Sequence, residues 1–188
     1  MSVVPEPSDG SRPNYVDAVT GARVAERLEG FDWRVVGTPP LGIALASSDI
    51  DIVCHTPSYE RFADILWRSF SECVDFSLRQ WTSDRHQMVC DFVFDGWNFQ
   101  IFGDQRIVAE QSAWRHFVVE KRLLAMGGAS LRQRVLAERA QGLKTEPAFA
   151  KILGLKGDPF FAMEELFESD GECLRQLIND SKIDAVFK

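Results

Sequence analysis

The chain has 188 residues, 45% hydrophobic and 11% aromatic, which suits a compact domain with a real core and excludes a disordered chain. Lys and Arg number 21 against 28 Asp and Glu, a formal net charge of -7, so the molecule as a whole repels a nucleic-acid backbone, and nucleic acid is not expected among its partners. A small phosphate ligand stays compatible, because a bound cation reverses the field inside one pocket.

The chain opens on residues 1–14, rich in Pro, Ser and Gly, which read as a flexible tail with no signal-peptide pattern. Val16 to Leu28 carries apolar residues at helical spacing (Val19, Val24, Ala25, Leu28), and Gly30 ends it. Trp33 to Val36 is a β-rich run stopped by Gly37. Thr38-Pro39-Pro40-Leu41-Gly42 is then a turn, since consecutive prolines exclude both helix and ladder pairing. A second strand spans Asp49 to Cys54. Thr56-Pro57 reads as an N-cap followed by a first-turn proline, opening a helix with the stripe Tyr59, Phe62, Ala63, Leu66 and Phe70.

Three strands follow: Phe76 to Trp81, Met88 to Phe94 and Trp97 to Phe102. Asp95-Gly96 joins the last two as a two-residue hairpin, which sets Phe94 against Trp97 and Asp91 against Gln100. From about Glu110 the pattern turns helical. One helix runs from Gln111 to Met126 and stops at Gly127-Gly128, another reaches Gln141, a third starts near Thr145 and a fourth is opened by Asp158-Pro159. The expected class is α+β: a mixed-sheet core over 15–108 and a helical C-terminal region over 109–188 packed on it. No apolar run approaches the roughly 20 residues of a membrane span. Cys54, Cys73, Cys90 and Cys173 form no CxxC pair and read as buried, reduced thiols of a cytoplasmic protein.

Asp49 and Asp51 stand out. Strand side chains alternate, so both carboxylates share one face while Ile50 and Ile52 bury the other, an arrangement suited to a divalent cation. Asp is also a poor strand residue, so a pair of them calls for a reason beyond folding. Arg115, Lys121 and Arg122 on one helix, together with Lys144 in the following loop, are within the class of residues that reach phosphates, although such charges are more often solvated. His116 and Glu120, four apart on a helix face, read as an internal hydrogen bond or ion pair rather than as ligands. Cys54 and His55 read as a buried thiol and a strand-end histidine.

A glycine-hydroxyl turn, a strand bearing Asp-x-Asp, a helix and then further strands with polar side chains resemble the nucleotidyltransferase superfamily, the fold of polymerase-β-like and antibiotic-modifying transferases. In longer stretches the chain also resembles a bacterial family known as a domain of unknown function, DUF4269. Those stretches are Gly37 to Ile43, Ser48 to Cys54, Phe99 to Gly103, Trp114 to Leu124 and Gly142 to Phe160. The resemblance implies that Gly37, Thr38 and Ser48 contact a triphosphate and that Asp49 and Asp51 hold Mg2+ or Mn2+. It also implies a third acid on a later strand, and there the chain departs, because Phe99-Gln100-Ile101 has an amide at that place. Asp91, across from Gln100, is the candidate to supply the missing carboxylate, its other readings being an exposed strand residue or the partner of an arginine.

The implied activity moves a nucleoside monophosphate from a nucleoside triphosphate to a hydroxyl or amine of a small-molecule or protein acceptor. The alternative, which Gln100 supports, is a nucleotide-binding or protein-interaction module on the same fold that has lost turnover.

Overall fold

The computed structural model describes residues 12–82 and 86–181, so the expected tail lies, up to residue 11, outside the described residues. The chain forms two compact units: one of residues up to Val35 with Asp49–Val108, the other of Val36–Ser48 with Ala109 onward. The segment 36–48, between the first two strands in sequence, is thus grouped with the helices. Among the described residues no helix is long and apolar enough to cross a membrane.

The first unit is built on a mixed five-stranded sheet in the order β1-β2-β5-β4-β3, where β1 is Asp32–Val36, β2 Ile50–His55, β3 Val74–Gln80, β4 Met88–Phe94 and β5 Trp97–Asp104. β2 runs parallel to β5, whereas β5, β4 and β3 form an antiparallel meander. The hairpin register is the expected one, with Phe94 opposite Trp97 and Asp91 opposite Gln100. Asp95 (φ 51°) and Gly96 (φ 75°) both take positive φ, the condition for a two-residue turn that follows the strand twist.

Alternation sorts the sheet into two faces. Ile50, Ile52 and Cys54 of β2, Phe92 of β4 and Phe99 and Ile101 of β5 form one core with Phe62, Leu66 and Phe70 of helix α3 (Tyr59–Phe70). Those three helical residues recur every four positions and so form one stripe. Phe70, Phe92 and Phe99 stack in series, ring centroids 4.6 and 4.8 Å apart and planes within 18°. The helix is capped by Ser58, whose Oγ accepts from Arg61 N at 3.3 Å, rather than by the expected Thr56, whose hydroxyl instead donates to the Ser58 carbonyl at 2.9 Å.

The expected helix over Val16 to Leu28 is two: α1 (Tyr15–Gly21) and α2 (Val24–Arg27), separated at Arg23, which has φ 53°. Gly21 is a weak helix former, and a Cβ there would meet the Phe94 ring at 3.0 Å. The absence of a side chain at Gly21 leaves room for that ring.

In the second unit, α4 (Ser112–Ala140) turns at Gly128, whose φ of 59° and ψ of −148° interrupt the helix next to the expected Gly127-Gly128 stop. Helices α5 (Thr145–Leu153) and α6 (Pro159–Glu165) begin as the sequence predicts, α6 with Asp158 Oδ1 accepting from Phe160 N and Phe161 N, both at 3.0 Å. A further helix, α7 (Gly171–Asp180), is an addition to the expected set; its marks are the Asp170 cap and Leu174 and Ile178, four apart and buried. The loop 36–48 is held from α4. Arg132 donates to the carbonyls of Leu41 and Gly42, and Arg139 to the carbonyl of Ile43 and to Ser48 Oγ at 3.3 Å.

One close approach makes a direct test. A Cβ at Gly103 would lie 2.3 Å from the ring of Phe62, which is fully buried and has no room to move. Gly103→Ala is expected to destabilise the protein by about 1–3 kcal/mol, the usual cost of overpacking, as measured by urea unfolding. Adding Phe62→Leu should recover part of the loss.

Candidate functional site

The polar face of the sheet is organised as a row across four strands. Asp51 of β2 stands beside Gln100 of β5 in the parallel register. Gln100 stands beside Asp91 of β4, and Asp91 beside Ser77 of β3. Asp49 immediately precedes β2 and is exposed; its Oδ1 accepts from Asn98 Nδ2 at 3.1 Å. Asn98 lies two residues before Gln100 on the same face, so Asp49 and Asp51 share that face. Arg12, set 3.5 Å over the Trp97 ring, feels the Asp49 charge; burial lowers its pKa and Asp49 opposes that.

Asp91 is the partner of an arginine. Its Oδ2 pairs with the Arg79 guanidinium and accepts from Ser77 Oγ at 3.0 Å, and its Oδ1 accepts from Gln100 Nε2 at 2.5 Å. Gln100 lies between Asp91 and Asp51, and adjacent strands are about 4.8 Å apart. Among the described residues no three His, Cys, Asp or Glu side chains gather as a metal-holding group. At the far end of the same face Asp104, in register with His55, is 3% exposed and bound by Arg106 at 2.6 Å and Gln87 at 2.5 Å.

Arg79 was not singled out in the sequence, yet alternation places it on the same face as Ser77, and Ser77 is the residue across from Asp91. That spacing is the signal. Burial pushes the Cys54 and Cys90 thiols up, Cys90 to about 12, so neither is a nucleophile. Cys73 is half-buried and Cys173 exposed, against the expectation that all four are buried.

The other candidate residues lie in the helical unit. Gly37 has φ 74°, and Thr38 Oγ1 donates to Ser48 Oγ at 3.1 Å. Ser48 Oγ also accepts from Leu45 N at 2.9 Å, and both hydroxyl residues are buried, so they brace the loop that carries Gly37. Arg115 lies 3.7 Å from Glu164 and over the Phe167 ring. Lys144 is the exposed residue preceding α5 and sends its charge toward Glu146.

His116 and Glu120 are both buried, and His116 pairs with Glu146 of α5 rather than with Glu120, whose ionised form the Glu146 charge disfavours. His116 Nδ1 is 3.3 Å from Glu146 Oε1, and Nε2 is 2.9 Å from the Phe160 carbonyl. Burial pulls the His116 pKa down, but the hydrogen bond and charge of Glu146, with help from Phe160 and Glu164, more than reverse it. Burial pushes Glu146 up, and the bond to His116 outweighs that and leaves it lowered. Glu120, 3% exposed, is held well above the ordinary range by burial first and the Glu146 charge second, with Arg139 opposing.

A family described as a domain of unknown function, DUF4269, matches residues 17–166, most of the chain. The chain belongs to the DUF4269 family. No curated protein matches it. Among solved structures, this DUF4269 member is similar to Cid1 poly(U) polymerase with MgGTP bound (TM-score 0.54, 15% identity, 67% of this chain and 40% of that one). It is also similar to a cytoplasmic RNA terminal U-transferase (TM-score 0.54, 16% identity, 78% and 48%). A third likeness is to Cid1 with Mg 3'-dATP bound (TM-score 0.54, 13% identity, 79% and 46%). The chain spans less than half the length of these polymerases. At such identity the likeness establishes the fold, and the DUF4269 chain is an α+β protein with a nucleotidyltransferase-like core.

The buried acid supplies a pH test. Above the ordinary Glu value the folded chain keeps a proton on Glu120 that the unfolded chain releases, so stability falls as pH rises toward the folded value. The slope for one proton is about 1.4 kcal/mol per pH unit. Glu120→Gln mimics the neutral acid and removes this loss. The variant should match the wild type near about pH 5 and exceed its urea-unfolding stability near about pH 8. Parallel pH profiles for the two proteins would refute the assignment.

Proposed function

We propose that this chain is a metal-dependent nucleotidyltransferase that moves a nucleoside monophosphate from a nucleoside triphosphate to a hydroxyl or amine of a small molecule or protein. The observation that carries the reading is the placement of Asp49 and Asp51 on one sheet face of a fold shared with polymerases whose structures hold magnesium nucleotides.

The donor set suits the ion. Mg2+ prefers hard oxygen, keeps several waters, and is commonly held by one or two carboxylates together with substrate phosphates. Asp49 and Asp51 provide two such carboxylates, and Mn2+ accepts the same set. When bound, the cation neutralises charge on the phosphates undergoing displacement. The chain's own residues do the remaining work in this proposal. Gly37, Thr38 and Ser48, with Arg115 and Lys144, take the triphosphate, the hydroxyls chiefly by bracing the loop so that its backbone N–H groups are presented. Asp91, the third acid of the proposal, is charge-compensated by Arg79, which reduces its capacity to ligate. The net charge of -7 favours a small or proteinaceous acceptor over a polynucleotide.

A second reading, a nucleotide-binding module without turnover, draws on one specific observation: Gln100 occupies the place next to Asp51 where the fold's third acid is expected.

A thermal-shift screen of the four ribonucleoside triphosphates with Mg2+ or Mn2+ tests the proposal. Saturation near 100 times Kd stabilises by about 2.7 kcal/mol, which for a chain of this size raises Tm by roughly 5–10 °C. In Asp51→Asn that response should vanish, while the ligand-free Tm stays equal or rises because one of two neighbouring carboxylates has lost its charge. A lowered ligand-free Tm with an intact nucleotide response would show that Asp51 is structural. A radiolabelled triphosphate assay against candidate acceptors then separates transfer from binding alone.

A further inference from the structure

We infer that Gln100 is itself a cation ligand through its side-chain amide oxygen, and that Asp91, Arg79 and Ser77 are positioning residues that fix which way this amide faces. The inference rests on the metal reading of Asp49 and Asp51 and goes beyond it by assigning a neutral third donor.

A carboxylate paired with a guanidinium only accepts hydrogen bonds, and Asp91 is so paired with Arg79. The group of Gln100 that approaches Asp91 Oδ1 to 2.5 Å must therefore be the donor Nε2. A planar amide with its nitrogen turned to β4 turns its oxygen away from β4. The neighbour of Gln100 on its other side is Asp51, on the adjacent strand in register and on the same face.

The amide oxygen is a hard donor of the kind Mg2+ and Mn2+ accept, and it is uncharged. A site of two carboxylates and one amide binds its cation more weakly than one of three carboxylates, with one negative charge fewer. Ser77 Oγ, 3.0 Å from Asp91 Oδ2, and Arg79 hold the Asp91 carboxylate so that it has one orientation toward Gln100. This is the general way outer residues orient a ligand, and loss of such a partner typically costs 10- to 100-fold in metal affinity.

Binding of Mn2+ to the full chain, followed by electron paramagnetic resonance, tests this without relying on activity. Gln100→Glu should tighten Mn2+ binding by about tenfold or more, because the third donor becomes anionic. It should also lower the metal-free Tm, since two carboxylates then abut at positions 100 and 91, and Mn2+ should restore it. Gln100→Ala should weaken binding by about tenfold, and Asp91→Asn should do so too, because an amide at 91 can donate and lets the Gln100 amide reverse. Circular dichroism of each variant verifies folding, and Gln100→Glu, nearly isosteric, serves if the alanine variant does not fold. Equal Mn2+ affinity in the wild type and Gln100→Ala would overturn the ligand role. Binding in Gln100→Glu alone would show that Gln100 blocks the site. Binding in none of them would instead remove the metal reading of Asp49 and Asp51 on which the inference rests.

Discussion

The two-residue turn at Asp95-Gly96 is the constraint on which the first unit depends. With positive φ at both positions it joins β4 and β5 without a free residue, so every pairing between them follows from it. Phe92 meets Phe99 on one face, and Asp91 meets Gln100 on the other. A slip of one residue would turn the aromatic side chains of one strand toward the polar face and carboxylates toward the core, at a cost no local contact could offset. The apolar stack and the polar row are thus two results of one register.

The parallel pairing of β2 and β5 is a different kind of constraint. It joins residues about fifty positions apart in sequence, through α3 and the meander, and no turn dictates it. Packing does. Phe62 and Phe70 of α3 occupy the space over Gly103 and beside Phe92, and Ile50 and Ile52 enter the same core. Once those side chains are seated, Asp51 lies beside Gln100 and the row from Asp51 to Ser77 is complete. Its electrostatics are then set by neighbours, since a guanidinium pairs with Asp91.

The helical unit concentrates charge in its interior. His116, Glu120, Glu146 and Arg139 are all wholly or partly desolvated, a costly arrangement unless charges are matched. Matching takes two forms here. Glu146 holds the His116 pKa up and is itself lowered by that bond, while burial holds the Glu120 carboxyl well above the ordinary range. Arg139 is turned to the loop 36–48 and, with Arg132, satisfies carbonyl groups in a segment whose prolines exclude regular ladder pairing.

Local chemistry made much of this readable from the sequence. Alternation placed Asp49 and Asp51 on one face, the Asp95-Gly96 turn set Asp91 against Gln100, and Asp158-Pro159 and Gly128 marked helix boundaries. Each of these depends on residues within a few positions of one another. Other features depend on what arrives from far away in the chain. The ring of Phe94 lies against Gly21, the partner of His116 is thirty residues downstream, and α7 declares itself chiefly by what it buries. The donors that surround Asp91 come from two other strands. A sequence specifies which side chains are able to ligate, donate or pack; which of them find one another is decided by long-range registers and by the energetic demand that buried charge be paired.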